Sequence, residues 1–373
     1  MISLLTVSLI AISTELIARR IFPHTATSVY NCIVQDDPTT GFRAIPNSVC
    51  WGKEPEGPLV QYKFNSCGQR SGMECGLKKL GHYRVLLSGS SIAMGDMVQQ
   101  DEAFSELLPL ELTRRSGRQV DVYNEGMLQE SPAIVKLRLK GFIANKPDTI
   151  LWILTSWDLQ HTSVTLPFTV KATDKRVYGS ATRQHIEEAL AAKSILDGVH
   201  ILQQTVHDVL DTTLTKYMLQ HFLYKSQSQY VTSALRAGDG EAYLRCNLSP
   251  EWLGYLSQFN ISYAEIERQA AAAGVPLVVA FMPNRAQAAM ISLGEWPSGY
   301  DPYKLDNDLR NIVVSHGGTY IDILPDFRNI PNPEQYFYPV DGHPNPQGHA
   351  IIANLLAKEL TSGAVPELSI NSH

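Results

Sequence analysis

The 373-residue sequence lacks the features that mark several large classes of protein. Basic residues are not in excess, since 31 Lys and Arg stand against 37 Asp and Glu for a formal net charge of −6, so we expect no nucleic acid partner. No Walker-type phosphate loop, CxxC pair or HExxH is present, so we predict no cofactor and no metal site. With 44% hydrophobic and 18% charged residues, the composition is typical of a globular protein with a sizeable core.

Cysteine is scarce, and its distribution is uneven. Four of the five cysteines, Cys32, Cys50, Cys67 and Cys75, fall in one N-terminal segment, and only Cys246 is distant. This clustering predicts two local disulfides, Cys32–Cys50 and Cys67–Cys75, if the protein resides in an oxidising compartment. The alternative is a set of ordinary buried thiols.

A long hydrophobic run is also missing. Residues 1–13 are uncharged and mostly apolar, but a membrane-spanning helix needs about 20 such residues, and Glu15 and the Arg19-Arg20 pair follow. No basic start or small-residue cleavage site accompanies the run. We interpret residues 1–22 as an uncleaved signal anchor, which predicts an exported, membrane-anchored protein with its main domain in the periplasm or outside the cell. The alternative is an amphipathic helix of a soluble protein.

The remaining chain divides by its pattern. Residues 23–80 are rich in Pro, Gly, Asn and Cys and predict a loop-rich lead-in, whereas residues 81–365 alternate strands with helices and residues 366–373 form a tail. We predict strands over 83–88, 119–123, 149–154, 276–282 and 319–323, and helices over 103–116, 132–145, 263–273, 302–315 and 346–361. A helical insertion at about 160–265, most regular over 182–224, interrupts them. This order indicates a flavodoxin-like three-layer α/β/α fold with a five-stranded parallel sheet.

Polar residues follow several of the predicted strands, where a parallel sheet of this kind collects its ligands. The segments are Gly89-Ser90-Ser91, Asn124-Glu125-Gly126, Thr155-Ser156-Trp157-Asp158, and a late loop that carries Asp341 and His343. A serine hydroxyl is a poor nucleophile at neutral pH unless a base activates it. We therefore pair Ser91 with His343 as its base and Asp341 as the group that orients the imidazole.

These segments resemble the sequence blocks of the SGNH (GDSL-type) hydrolases. The first block resembles residues 89–95, with Ser91 at the nucleophile position and Ser90 where the family usually has Asp. The second resembles Asn124-Glu125-Gly126, and the last resembles residues 341–345. The resemblance implies a Ser91–His343–Asp341 triad and an oxyanion hole made by the N–H groups of Ser91 and Gly126, with Asn124 as a further donor.

The third block departs from the family pattern. Trp157 occupies the place where most members have Asn, and we assign Ser156, Trp157 and Asp158 to the substrate pocket. An oxyanion donor contributes about 3 kcal/mol to transition-state stabilisation, so its loss would lower the catalytic rate unless the Trp157 indole, Ser156 or Asn124 replaces it.

The resemblance implies a serine esterase that acts on an acylated small molecule or glycan. The apolar N-terminus, Gly41-Phe42-Arg43 and Asn65-Ser66 resemble exported, membrane-tethered bacterial members of the family. We therefore expect removal of O-acyl, in particular acetyl, groups from an extracellular glycan. Two alternatives stay open: a polysaccharide O-acetyltransferase, and a glycan-binding protein that has lost turnover.

Overall fold

The computed structural model describes residues 2–23, 28–37, 39–160, 213–236 and 239–369. The predicted insertion at about 160–265 therefore lies in part outside the described residues, as does most of the helical stretch expected over 182–224. The last four residues of the predicted tail also lie outside them.

A five-stranded parallel sheet forms the centre of the protein, as predicted. In chain order, after four strands of the lead-in, its strands are β5 (Tyr83–Gly89), β6 (Val120–Asn124), β7 (Thr149–Leu154), β8 (Leu277–Phe281) and β9 (Thr319–Ile321). The spatial order is β6-β5-β7-β8-β9, and every adjacent pair is parallel. This is the flavodoxin-like order, and it confirms the predicted fold class.

Helices cover both faces of this sheet. The larger ones are α3 (Phe104–Ser116), α4 (Pro132–Ala144), α8 (Pro250–Ala272), α10 (Lys304–Ser315) and α11 (Pro346–Glu359). Helix α3 packs against α11, and α8 packs against α4 and α10. All residues of β5 to β8 are buried, which explains why these strands appear in the sequence as continuous apolar runs.

The structure extends one predicted helix and contains one helix that was not predicted. The helix predicted over 263–273 begins at Pro250, because the Ser249 side chain accepts the Trp252 N–H and Pro250 occupies the first turn. The end of the predicted insertion at about 265 therefore falls inside a helix of the main fold. A helix that the sequence pattern did not indicate, α9 (Arg285–Leu293), begins after Asn284, whose side chain accepts the Gln287 N–H.

The lead-in consists of two antiparallel strand pairs held by disulfides. Strand β1 (Ile33–Asp37) pairs with β2 (Gly41–Ala44), and β3 (Val49–Gly52) pairs with β4 (Val60–Lys63). Disulfides join Cys32 to Cys50 and Cys67 to Cys75, which confirms both predicted pairs. Cys246 is a free, exposed thiol.

The N-terminal segment is one helix, α1 (Ile2–Ile21). Its Glu15 carboxylate accepts hydrogen bonds from the N–H and O–H of Thr215 on α6 (Leu214–Leu223). The Phe22 ring lies 5.0 Å from the His221 ring of the same helix. Within the described ranges, no helix combines the length and apolarity needed to cross a membrane. The anchor at residues 1–22 stays a prediction.

Candidate active site

Ser91 lies at the turn that follows strand β5. The short helix α2 (Ser91–Met94) begins at this serine and is capped at its C-terminal end by Gly95, whose φ of 83° is left-handed. Gly89 precedes the turn with φ 147°, and a Cβ there would lie 2.6 Å from the Ile153 carbonyl oxygen of β7. Only glycine fits such a close backbone approach, so the sequence Gly89-Ser90-Ser91 brings the serine to the carboxyl edge of the sheet.

The structure brings Ser91, His343 and Asp341 together in one hydrogen-bonded chain. His343 Nε2 lies 2.7 Å from Ser91 Oγ, and His343 Nδ1 lies 2.6 Å from Asp341 Oδ1. An ionised carboxylate has no proton to give, so Nδ1–H must be the donor to Asp341. The neutral imidazole then presents its Nε2 lone pair to the Ser91 hydroxyl, which is the arrangement a general base requires.

A tight turn places His343 opposite the serine. The Tyr338 N–H donates to the His343 carbonyl at 2.8 Å, and the Gly342 N–H donates to the Tyr338 carbonyl at 3.0 Å. Helix α11 starts directly after this loop, capped by the Asn345 side chain, which accepts the Gly348 N–H. Residues 341–345 therefore combine a turn and a helix cap, and this local structure fixes the imidazole at the sheet edge.

Charge around the imidazole changes its affinity for protons. Burial lowers the pKa of His343, but the charge and hydrogen bond of Asp341 raise it. The carboxylates of Asp96 and Glu54 act in the same direction, and the resulting pKa is about 9. Burial raises the pKa of Asp341, but its contacts with His343 outweigh that effect and hold the pKa below its usual range. The histidine–aspartate pair therefore favours the charged form of both partners.

A cavity of about 440 Å³ opens beside the serine. Its lining includes Ser91, His343 and Asp341, all three residues of the predicted pocket (Ser156, Trp157 and Asp158), and side chains that the sequence did not single out (Tyr230, Glu241, Asn284 and Arg285). The walls thus combine aromatic rings with hydrogen-bonding groups. Such a lining provides both stacking surfaces and polar contacts for a ligand.

The predicted oxyanion roles of Gly126 and Asn124 need correction. The Gly126 N–H donates to Asn124 Oδ1 at 2.9 Å, and Asn124 Nδ2 donates to the Ala93 carbonyl at 2.9 Å. Neither residue belongs to the cavity lining. The two residues instead fasten the loop after β6 to the helix that carries Ser91, so their donors are already occupied.

The close packing around Gly126 predicts that a larger residue there destabilises the fold. A Cβ at this position would lie 2.6 Å from Met94 N and 2.8 Å from Ala93 C, both backbone atoms that cannot rotate away. We expect Gly126→Ala to lower the free energy of unfolding by about 2 kcal/mol, as overpacking commonly does. Urea denaturation measures this, with Gly141→Ala as the matched control. Gly141 has open space around it on α4, so alanine there should stabilise the protein by up to about 1 kcal/mol. Equal effects at both sites would contradict the packing argument.

Gln129 is a further cavity residue that the sequence pattern did not single out. It lines the cavity with a left-handed φ of 58°, a conformation that is uncommon for a residue with a side chain. Its backbone N–H makes no hydrogen bond to any described residue, and the same holds for the Ser91 N–H. These two N–H groups are therefore candidate donors to an oxygen atom bound at Ser91. No sequence pattern indicated Gln129, because glycine is the usual residue at a loop position with a positive φ.

Asp158 and Trp157 occupy different environments. The Asp158 carboxylate is buried, accepts the Thr155 N–H at 2.7 Å and bonds the Ser90 side chain. Burial raises its pKa to about 7, although these hydrogen bonds oppose the increase. Asp158 therefore braces the turn that carries Ser91. Trp157, in contrast, is 66% exposed and forms a wall of the cavity.

Comparisons with known proteins give structural likeness only. No family model and no curated protein sequence matches the chain. Similar solved structures include an α/β hydrolase from the metagenome of Lake Arreo, Spain, with 12% identity, 77% of this chain and 96% of that chain covered, and a TM-score of 0.40. A mutant of an acetyl-xylooligosaccharide esterase from Geobacillus stearothermophilus gives the same identity, coverage and TM-score.

A psychrotrophic esterase from Pseudoalteromonas is similar at 10% identity, with 74% of this chain and 96% of that chain covered and a TM-score of 0.38. Similarity at this level does not indicate an activity. Function must therefore be inferred from the geometry around Ser91, and the resemblance to SGNH hydrolases stays a prediction.

Proposed function

We propose that the protein is a serine esterase in which Ser91, His343 and Asp341 form the catalytic triad. The observation that carries this proposal is the continuous chain of hydrogen bonds from Asp341 through both ring nitrogens of His343 to the Ser91 hydroxyl. The chain ends in a cavity large enough for an acyl group and part of its alcohol. These are the positional requirements of nucleophilic acyl transfer.

The reaction has two halves. His343 Nε2 takes the Ser91 proton while Oγ attacks the ester carbonyl, and the negative charge that develops on the carbonyl oxygen is stabilised by the N–H groups of Ser91 and Gln129. The intermediate then expels the alcohol, which receives the proton from His343, and leaves an acyl-enzyme. Water attacks this ester with His343 again as the base, and the free acid leaves while Ser91 regains its proton.

The cavity lining supports a sugar as the alcohol portion of the substrate. Trp157 offers an exposed ring face, and Glu241 and Asn284, whose side chains are hydrogen-bonded to each other, add polar groups to the wall. The two disulfides of the lead-in support an oxidising, extracytoplasmic location. We therefore propose O-acyl, in particular O-acetyl, groups of an extracellular glycan as the substrate, with a membrane tether at the N-terminus as part of that proposal.

The same acyl-enzyme can pass its acyl group to a sugar hydroxyl instead of water. The exposed Trp157 ring beside Ser91 favours this second candidate, an O-acetyltransferase, because a stacked sugar would shield the ester from water. Incubation with p-nitrophenyl acetate and an oligosaccharide, followed by mass spectrometry, separates the two. Free acetate alone supports the esterase, and acetylated oligosaccharide supports the transferase. If p-nitrophenol is not released above background, the catalytic proposal fails in favour of a glycan-binding protein without turnover.

The high pKa of His343 predicts an alkaline pH profile. The imidazole must be unprotonated to accept the Ser91 proton, so kcat/KM should rise about tenfold per pH unit at neutral pH and level off near pH 9. The effect of His343 on stability follows pH in the opposite direction to its effect on activity. Its contribution to the free energy of unfolding is fully present below the unfolded pKa of about 6.5 and is lost as the pH rises through about 9. Steady-state rates from pH 6 to 10 test this, and a profile that levels off below pH 7 would contradict the assigned environment.

A further inference from the structure

We propose that Glu56, a residue of the lead-in, is a positioning residue that holds the backbone of the catalytic acid. This inference depends on the proposed esterase function and goes beyond the three triad residues. The Glu56 carboxylate accepts the Val340 N–H at 3.0 Å and the Asp341 N–H at 3.1 Å. Both donors belong to the loop that carries Asp341 and His343 (the catalytic loop), yet Glu56 is nearly 300 residues away in sequence.

The environment of Glu56 makes these bonds strong. The residue is only 4% exposed, so water does not compete for its oxygens. A carboxylate that accepts two backbone N–H groups in such a site makes charge-assisted hydrogen bonds, which are about twice as strong as neutral ones. The loop cannot satisfy these donors by itself, because residues 338–343 form a turn whose internal bonds involve other groups. Removal of the carboxylate would leave the Val340 and Asp341 N–H groups without these acceptors.

A side chain of helix α6 also contacts the Glu56 carboxylate. His221 Nδ1 on α6 lies 2.5 Å from Glu56 Oε1. Glu56 therefore connects three parts of the protein: the lead-in, helix α6 and the catalytic loop. Since the Asp341 side chain must meet His343 Nδ1 within a few tenths of an ångström, an anchor on its own backbone nitrogen bears directly on that contact.

The test is the variant Glu56→Gln, which keeps the shape but replaces one acceptor oxygen by an NH₂ group. We expect kcat to fall about 10- to 100-fold with little change in KM, because the ester still binds while the base is less well oriented. A weaker Asp341–His343 bond stabilises the imidazolium less, so the midpoint of the pH profile should also move to lower pH. The charged groups that act on His343, namely Asp341, Asp96 and Glu54, are unchanged in this variant.

Glu106→Gln is the matched control. Its carboxylate also links the lead-in to the main fold, by accepting the Gly72 N–H at 2.7 Å, but it does not contact the catalytic loop. It should keep the kcat and pH midpoint of the wild type. If Glu56→Gln fails to fold, His221→Ala loosens the carboxylate without removing it and should shift kcat and the midpoint in the same direction by less. A Glu56→Gln protein that loses thermal stability alone, with kcat and midpoint unchanged, would overturn the proposal.

A second measurement separates this inference from the esterase proposal. The His343 Nδ1 proton in a short bond to Asp341 should give a proton resonance at very low field, which is observable whether or not any ester is hydrolysed. We expect the resonance in the wild type and in Glu106→Gln, and its loss or marked broadening in Glu56→Gln. An unchanged resonance in Glu56→Gln would refute the positioning role, whereas lack of ester hydrolysis by the wild type would refute only the esterase.

Discussion

Ser91→Ala is expected to lower kcat for p-nitrophenyl acetate by about 10⁴-fold or more, down to the rate that binding and the oxyanion donors alone support. Alanine removes the only atom that can form the acyl-enzyme, and it leaves the His343–Asp341 bond and the cavity in place. KM should change little, because the serine hydroxyl contributes little to binding of the ground state. Release of p-nitrophenol under saturating substrate measures the effect.

Ser105→Ala is the control for Ser91→Ala. Ser105 is a buried serine on α3 whose hydroxyl has no hydrogen-bond partner among the described residues. Its loss removes a hydroxyl of the same kind from a place that the reaction does not use, so activity should remain at the wild-type level. A Ser91→Ala enzyme with more than about a tenth of wild-type activity would exclude Ser91 as the nucleophile.

Asp341→Asn is expected to lower kcat by about 10³- to 10⁴-fold, the second-largest effect. An amide is neutral, and its NH₂ group can donate to His343 Nδ1, which would place the imidazole proton on Nε2. That tautomer points a proton at Ser91 and cannot accept another one. Loss of the carboxylate charge also lowers the pKa of His343, so the residual activity should reach its plateau at lower pH than in the wild type.

Asp326→Asn serves as the control for Asp341→Asn. Asp326 also carries a carboxylate in the C-terminal part of the chain, but it pairs with Lys358 at the surface, 2.7 Å away. Exposed pairs of this kind contribute about 0–1 kcal/mol to stability, so the variant should keep its activity and pH profile. If both substitutions reduced kcat equally, a general effect of charge would replace the triad explanation.

Local sequence patterns were sufficient to predict the sheet and the segments that carry the triad. The apolar runs at 83–88 and 149–154 correspond to the central strands β5 and β7, because burial on both faces leaves an unmistakable sequence pattern. The carboxyl ends of those strands then place the polar segments at one edge. The contact between residues 91 and 343 is made at this edge by a loop that follows the last strand, β9.

Other parts of the site could not be predicted in this way. The oxyanion role was given to Gly126 because Asn124-Glu125-Gly126 resembles the second block of the SGNH hydrolases, but the Gly126 N–H donates to Asn124. The cavity is lined instead by Gln129, which that resemblance did not indicate. The link from Glu56 to the catalytic loop joins segments that are distant in sequence and share no pattern. Pairings of this kind depend on how the lead-in packs on the main fold, which hydrophobic periodicity does not encode.

The most direct test of the central claim is to treat the native protein with a fluorophosphonate and locate the modified residue by peptide mass spectrometry. We expect one adduct, on the peptide that contains Ser91, with a labelling rate that rises with pH towards about 9 and falls to background in Asp341→Asn. A native protein that remains unmodified, or an adduct on a different residue, would contradict the assignment of Ser91 as an activated nucleophile.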